Sequence, residues 1–359
     1  MTYLVTFSPL EPYTFGTDQS FTYEGADKTG QESYLAASNQ LPEQTMLLGA
    51  LRYMALQKAG LLHTDFSYTP AEQERIRACI GPESFRFQKP DQSFGVIHAL
   101  SPLFLVNREK QTVLIPNPFH NRASKSGYQP MQLGAPIRCG EGEIRLPLAE
   151  EYKAKKGYAS GFLELGSRDV YSELFQKHLI TGNQKVMEED EREQAFFRRE
   201  RYALDKDYAF AVLAETAADA LPTDCVVYMG VKRAAFRARV CPAEAFPAFQ
   251  GQAAESPSAL LKGLVEAELN TGEAWYYALS DLIAPPGFRL GSFSIVEEKS
   301  LRNIETKLGE TRLLHRRRRS PIRWHLIRAG SVFSGQAPML EKNAAAESIG
   351  YNVICNLGG

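Results

Sequence analysis

A strand signal opens the chain almost at its first residue: Thr2 to Phe7 alternates aromatic and β-branched side chains, the period-two pattern of a buried strand. The recurrence of such segments constrains the fold most. Similar strand patterns lie at Phe94 to Val106, Thr112 to Ile115, Tyr208 to Ala214, Cys225 to Met229 and Ala234 to Val240. Further along come Trp275 to Leu282, Ser292 to Val296, Trp324 to Ala329 and Tyr351 to Cys355. Helices punctuate them. Pro42 suits the first turn of one that runs through Thr45, Leu48, Leu51, Arg52 and Leu56 to a stop at Gly60. Gly49 inside it costs roughly 1 kcal/mol against Ala and points to close approach by another backbone. Helical patterns also cover Pro70 to Cys79, Val170 to Ile180 and Ala259 to Leu269. Residues 8–40 read as a polar loop, and residues 120–160 as an extended excursion rich in Gly, Pro, Lys and Ser.

Strand, helix, hairpin strands, helix, strand is the order of a ferredoxin-like (RRM-like) unit, and it occurs twice without sequence repetition. The expected class is therefore α+β. The division is residues 1–242, with an insertion at about 61–190, and residues 243–359. With 359 residues, 44% of them hydrophobic, a substantial core can form. Cys79, Cys139, Cys225, Cys241 and Cys355 are scattered with no Cys-x-x-Cys pair, which argues against a disulfide framework or zinc site. Residues 1–20 have no signal-peptide pattern, and no apolar run reaches the ~18–20 residues of a membrane span. The expected location is the cytoplasm.

Charge is distributed unevenly. From Lys299 to Arg328 there are ten Lys/Arg against two Asp/Glu, a formal +8 in a chain whose total is −1, so the remainder carries −9. The centre of this strip is Arg316, Arg317, Arg318 and Arg319, followed by Arg323, Trp324 and His325. A near-neutral protein that gathers its positive charge into one segment presents a footprint for a polyanion, and flat side chains beside arginines stack on unpaired bases. The alternative is a solvated charge run. Apolar strand residues leading into Gly330-Ser331 favour arginines anchored to a folded sheet. A second basic cluster, Lys232, Arg233, Arg237 and Arg239, lies on the strand pair at 225–240, with Arg237 and Arg239 on one face.

Motif order brings a family into view. Leu10-Glu11-Pro12 through Phe15, Asp18 and Phe21 resembles the N-terminal loop of the Cmr-three family, RAMP-superfamily subunits of type III-B CRISPR effector complexes within the Cas-five group; Gly16 stands where that loop carries Arg. Leu41-Pro42 through Thr45 and Leu48-Gly49-Ala50-Leu51-Arg52 is similar to the family's helix start. Ser101-Pro102-Leu103-Phe104 with Pro116-Asn117-Pro118 resembles its paired strand and Pro-x-Pro turn. Phe196-Phe197 through Arg201 occupies the place of its aromatic-plus-acid segment, behind a degenerate glycine motif at Lys185-Val186-Met187-Glu188. Gly230 through Arg233 is similar to its Gly-Gly-Glu-Arg hairpin, with Val231 and Lys232 substituted. Ala329-Gly330-Ser331-Val332-Phe333 and Gly350-Tyr351-Asn352 resemble its closing strand and glycine loop. The substitutions leave the type III subtype open.

The resemblance implies two ferredoxin-like RAMP domains with an extended insertion in the first. It also implies a non-catalytic subunit without cofactor or metal that holds the repeat-derived 5′ handle of the CRISPR RNA. Such a subunit bridges the large polymerase/cyclase-like signalling subunit to the backbone RAMP subunits, meets target RNA only indirectly and touches no membrane. The candidate RNA contacts are Gln44 and Thr45 at a helix start, Arg52, Lys232, Arg233, Arg237, Arg316 to Arg319, Arg323, Trp324, Ser331 and Gly350.

An enzyme is the rival class, a Cas-five/Cas-six-like metal-independent endoribonuclease that cuts CRISPR repeat RNA. It needs a general base near a 2′-OH and a cation at the phosphate. His120 with Lys125 supplies those residue types; His98 reads as a core residue. The contiguous acids Glu188 to Glu191 point around a helix and do not converge on a metal. A free-standing RNA-binding regulator would carry the aromatic RNP signature, which the strands lack.

Overall fold

The computed structural model describes the chain except residues 25–31, 64–66, 123–126, 141, 149–157, 184–195, 286–291, 308–315 and 359. In chain order the elements are β1 (Thr2–Pro9), β2 (Phe15–Glu24), β3 (Glu32–Asn39), α1 (Gln44–Lys58), α2 (Pro70–Ile80), β4 (Ile97–Leu100), β5 (Phe104–Asn107) and β6 (Thr112–Pro116). Then come β7 (Ile137–Cys139), β8 (Gly142–Ile144), β9 (Phe162–Glu164), β10 (Val170–Tyr171), β11 (Phe175–Asn183), β12 (Phe196–Leu204), β13 (Tyr208–Thr216), β14 (Asp224–Met229) and β15 (Ala234–Pro242). The last stretch holds α3 (Pro257–Leu269), β16 (Trp275–Ala278), β17 (Leu282–Ile283), β18 (Phe293–Ile295), β19 (Glu298–Leu301), β20 (Ile304–Lys307), β21 (Arg316–Arg319), β22 (Trp324–Ile327), β23 (Val332–Ser334), α4 (Ala344–Ser348) and β24 (Ile354–Asn356).

The fold is mixed α/β with several sheets. The largest runs β10-β9-β6-β5-β13-β1-β15-β14, with β4 also on β13. At its centre Val5 faces Val212 on β13 and Val240 on β15, both pairings antiparallel. β13 is buried on both faces, and its period of two divides the core. Phe210, Val212 and Ala214 enter one cluster with Leu47, Leu51 and Met54 of α1; Ala209, Ala211 and Leu213 enter the other with Leu261, Val265 and Trp275. The first cluster also takes Leu326, Ile349 and Tyr351, so apolar packing crosses residue 242.

α1 begins at Gln44 with Glu43 at its cap, so Pro42 stands before the helix and not in its first turn; other helix ends carry local signals. Thr69 accepts from the Glu72 amide while the Glu72 carboxylate accepts from the Thr69 amide, a reciprocal capping box. Ser256 caps α3 through the Ala259 amide, and Gly60 stands just past α1 at φ +67°.

Several expectations change. The span 8–40 holds two long strands, because β2 and β3 join β11 and β12 in a four-stranded sheet. Their Ser, Thr and Gly positions carry no apolar alternation, so only pairing reveals them. Val170 to Ile180 is not helix but β10 and the start of β11, strands of two different sheets; β11 pairs β12 without a break from Phe175↔Leu204 to Asn183↔Phe196. The excursion at 120–160 begins inside the core, where Phe119, His120, Tyr128 and Met131 are buried and the Trp275 indole donates to the Met131 carbonyl at 3.2 Å. Strand Trp275 to Leu282 breaks into β16 and β17 in different sheets. The acids at 188–191 lie outside the described residues.

Candidate nucleic-acid interface

The basic strip does fold as strand. Arg316 to Arg319 form β21, antiparallel to β20, with Arg319 opposite Ile304 and Arg316 opposite Lys307. These two strands form a ribbon of their own, not part of a larger sheet, among the described residues. Five residues on, Trp324 opens β22, the middle strand of β17-β22-β19. Its ring is half-buried, 5.0 Å from Phe87 between centroids. The indole is thus a packing residue on at least that side. Arg323 and His325, its neighbours, are exposed and line a cleft.

The cleft encloses about 790 Å³ between the β3–α1 connection, the Pro116-Asn117 turn and β19. At its floor the Lys299 ammonium lies 2.8 Å from a Glu43 carboxylate oxygen and is also paired to Asp281. These side chains are only 26%, 11% and 14% exposed for Lys299, Glu43 and Asp281 respectively. Burial disfavours the Lys299 charge, but Asp281 and Glu43 outweigh it and hold the amine protonated well above its ordinary range. Two carboxylates share one ammonium, so burial pushes the Glu43 carboxyl up despite the attraction of Lys299. Arg328 pairs Glu297 at 2.8 Å, and Glu297 also accepts from the Tyr158 hydroxyl. The cleft therefore mixes carboxylates, cations and tyrosines; Lys299 and Arg328 are already neutralised.

Gln44 lies at the cleft edge, at the first position of α1. Its amide nitrogen donates to the Ser101 carbonyl at 2.8 Å, and its Oε1 is buried without a partner among the described residues. Glu43, at the cap position, spends its carboxylate on Lys299 and makes no side-chain bond to the helix backbone. Thr45 is half-buried one residue on. Gly350, at φ +91°, packs against this corner: a Cβ there would lie 2.2 Å from Gln44 Nε2 and 2.5 Å from the Ser101 carbonyl oxygen. Its glycine identity follows from internal packing. Ser331 is likewise internal, fully buried, with its hydroxyl donating to the Arg328 carbonyl at 2.7 Å.

Arg52 is a strut within the fold. Its guanidinium donates to the Glu83 carbonyl at 3.0 Å and sits 5.4 Å from the Phe94 centroid; burial pushes it down to about 10 against the pull of Glu83. Gly49 meets nothing within 4 Å, so no backbone among the described residues approaches it. At the β14–β15 hairpin, Lys232, Arg233 and Arg237 are exposed. Arg233 stands 5.3 Å from the Tyr228 ring, and Arg237 makes a bidentate pair with Asp224 at 2.5–3.1 Å. Gly230 is needed there, since a Cβ would meet the Thr14 carbonyl oxygen at 2.4 Å. Arg52 and Ser331 apart, the candidates fall in three places: the arginine ribbon, the region of the cleft with Gln44 and Arg323, and the hairpin.

The nuclease candidates fare differently. His120 is fully buried, its Nε2 2.9 Å from the Tyr128 hydroxyl and its ring against Trp275. Desolvation lowers it to about 3, and no substrate atom reaches it in this packing. Lys125 and His315 lie outside the described residues. His98, expected in the core, is exposed on the two-faced strand β4. No group of three or more His, Cys, Asp or Glu could hold a metal ion, and no helix is long and apolar enough to cross a membrane, among the described residues. Sequence reasoning missed Glu43, Asp281 and Lys299 as a unit, because they come from three distant segments with no spacing that links them.

Comparison with known proteins adds a family. No curated protein matches the chain. Among solved structures, a chain of the Type III-B Cmr-beta bound to cognate target RNA and AMPPnP shares 14% identity and a TM-score of 0.48, covering 100% of this chain and 97% of that one. A second Cmr-beta structure with cognate target RNA gives 13% and 0.49 over the same shares. A chain of the Csm3-Csm4 subcomplex from the type III-A CRISPR-Cas interference complex gives 11% and 0.35, with 93% of each covered. The family model for CRISPR-associated protein (Cas_Cmr3) matches residues 6–260, most of the chain. This protein belongs to the Cas_Cmr3 family.

Proposed function

We propose that this chain is a non-catalytic subunit of a type III-B CRISPR effector complex that binds the 5′ handle of the CRISPR RNA. In this reading it bridges the large signalling subunit to the backbone RAMP subunits in antiviral defence, in the cytoplasm. The observation that carries the reading is the family match over residues 6–260. The arginine strand supports it physically: four consecutive arginines on a β-ribbon offer bidentate donors to phosphate without reading sequence.

The same reading takes the chain as two ferredoxin-like RAMP domains, residues 1–242 with the insertion and residues 243–359. The antiparallel order β15-β1-β13-β5, with α1 between β1 and β5 in the chain, supports the first; in chain order the edge strand β14 replaces its second helix. The RNA contacts proposed are Arg316 to Arg319 and the cleft-lining Arg323; Lys232, Arg233 and Arg237 stand instead at the open sheet edge beside β14. Burial gives Gln44, Arg52, Trp324, Ser331 and Gly350 the role of shaping the surface.

The test is binding of purified protein to RNA carrying the repeat-derived 5′ handle and to the same RNA with that handle scrambled. Tighter binding of the intact handle, with RNA uncut with or without Mg²⁺, is expected. Equal binding of both RNAs overturns handle recognition, and cleavage at one repeat position reinstates the endoribonuclease.

A further inference from the structure

β14 ends the nine-stranded sheet, and its outer edge is open. The Val240 amide donates to the Thr223 carbonyl, which makes 223/240 a hydrogen-bonded pair. Alternation then assigns 225/238, 227/236 and 229/234 to the ladder, and leaves Asp224, Val226 and Tyr228 with backbone N–H and C=O directed away from β15. No other strand pairs this edge among the described residues. The same three residues are the exposed ones of the strand, Val226 at 40% and Tyr228 at 49%.

Natural edges are blunted by Pro, lysine, a bulge or a covering element. β14 has no Pro, no Lys and an unbroken register with β15. Its one charge, Asp224, is already bound by Arg237 and lies 3.8 Å from Arg239. Around the strand Lys232, Arg233, Arg237 and Arg239 face two carboxylates, Asp224 and Glu11; Glu11 accepts from the Ala235 amide beside Tyr228. Apolar Val231 and Leu10 extend the patch, 58% and 57% exposed.

We propose that β14 is a docking edge on which an acidic, extended segment of a neighbouring protein subunit adds as a further strand. Main-chain bonds to Asp224, Val226 and Tyr228 supply affinity, as in β-strand addition generally. Side chains at alternate positions of the added strand lie over Val226 and Tyr228, and its carboxylates meet Arg233 and Arg239, where the local charge is positive. The partner being a subunit rests on the reading of this chain as part of an effector complex.

Amide hydrogen exchange over residues 224–229 is compared between the free chain and the complex purified with its co-expressed subunits and guide RNA. Protection of Val226 and Tyr228 in the complex is expected, surviving ribonuclease. A photo-crosslinking side chain at Tyr228 should capture an Asp/Glu-rich peptide of another subunit. Val226→Pro removes an outward donor that the ladder does not use, so the free chain keeps its melting temperature while incorporation falls at least tenfold. Tyr228→Lys gives a second reading if the proline variant misfolds. Unchanged exchange, or a crosslink to RNA or to a second copy of this chain, overturns the proposal. Handle binding is measured separately on the free chain, so its failure leaves this result interpretable.

Discussion

Lys299 on β19 and Glu43 at the entry to α1 are 256 residues apart in sequence and 2.8 Å apart in space. Their pairing ties the helix that covers the N-terminal sheet to the small sheet that carries Trp324, with Asp281 as the second acid on the same ammonium. A buried ion pair is expensive to break from one side, because the remaining charge is left desolvated.

Lys299→Ala should therefore destabilise the protein by about 3 kcal/mol, the lower end of the range for buried pairs, since each partner retains some solvent exposure. Replacing Lys299, Glu43 and Asp281 together by Met, Gln and Asn should recover most of that loss. Chemical denaturation of the single and triple variants checks both statements; a single variant as stable as wild type shows that water already solvates the cluster.

Alanine at Arg316, Arg317, Arg318 and Arg319 together should weaken guide RNA binding and flatten its salt dependence. Every phosphate that is no longer neutralised takes roughly 0.7 off the log–log slope on a single strand. Binding titrations at several salt concentrations measure the slope, and an unchanged slope means that the ribbon does not touch RNA.

Acid should destabilise the fold through His120. The imidazole titrates near 6.5 in the unfolded chain and at about 3 when buried, so the unfolded state binds more protons between these values. The stabilisation is fully present above about pH 6.5 and is lost as pH falls toward 3, at up to about 1.4 kcal/mol per pH unit. His120→Phe should flatten the pH–stability curve in this window. A curve of unchanged steepness assigns the acid sensitivity to other groups.

Gly350→Ala places a methyl against Gln44 Nε2 and the Ser101 carbonyl at a φ of +91°. Strain and overlap should cost at least about 2 kcal/mol. Thermal melting reads the loss, and a shift below one degree shows that the corner relaxes.

Elements with local signals were legible before folding was considered. The alternation of Thr2 to Phe7 and Tyr208 to Ala214 and the helical pattern of Pro70 to Cys79 appear in the structure, and the motifs from Leu10 to Arg233 lie within the span that the family model matches. The arginine run was visible as charge and sits on a strand. Features that depend on partners distant along the chain took shape only in three dimensions. β2, β3 and β11 lack a decisive period and became strands through pairing with β12 and with each other. Exposure followed the same rule. His98 faces solvent and His120 is sealed against Trp275, because the neighbours that settle burial come from other segments. Lys299 looked like one more cation in a basic strip. Only folding brought Glu43 and Asp281 to it, and desolvation then made the three a unit that no spacing in the sequence encodes.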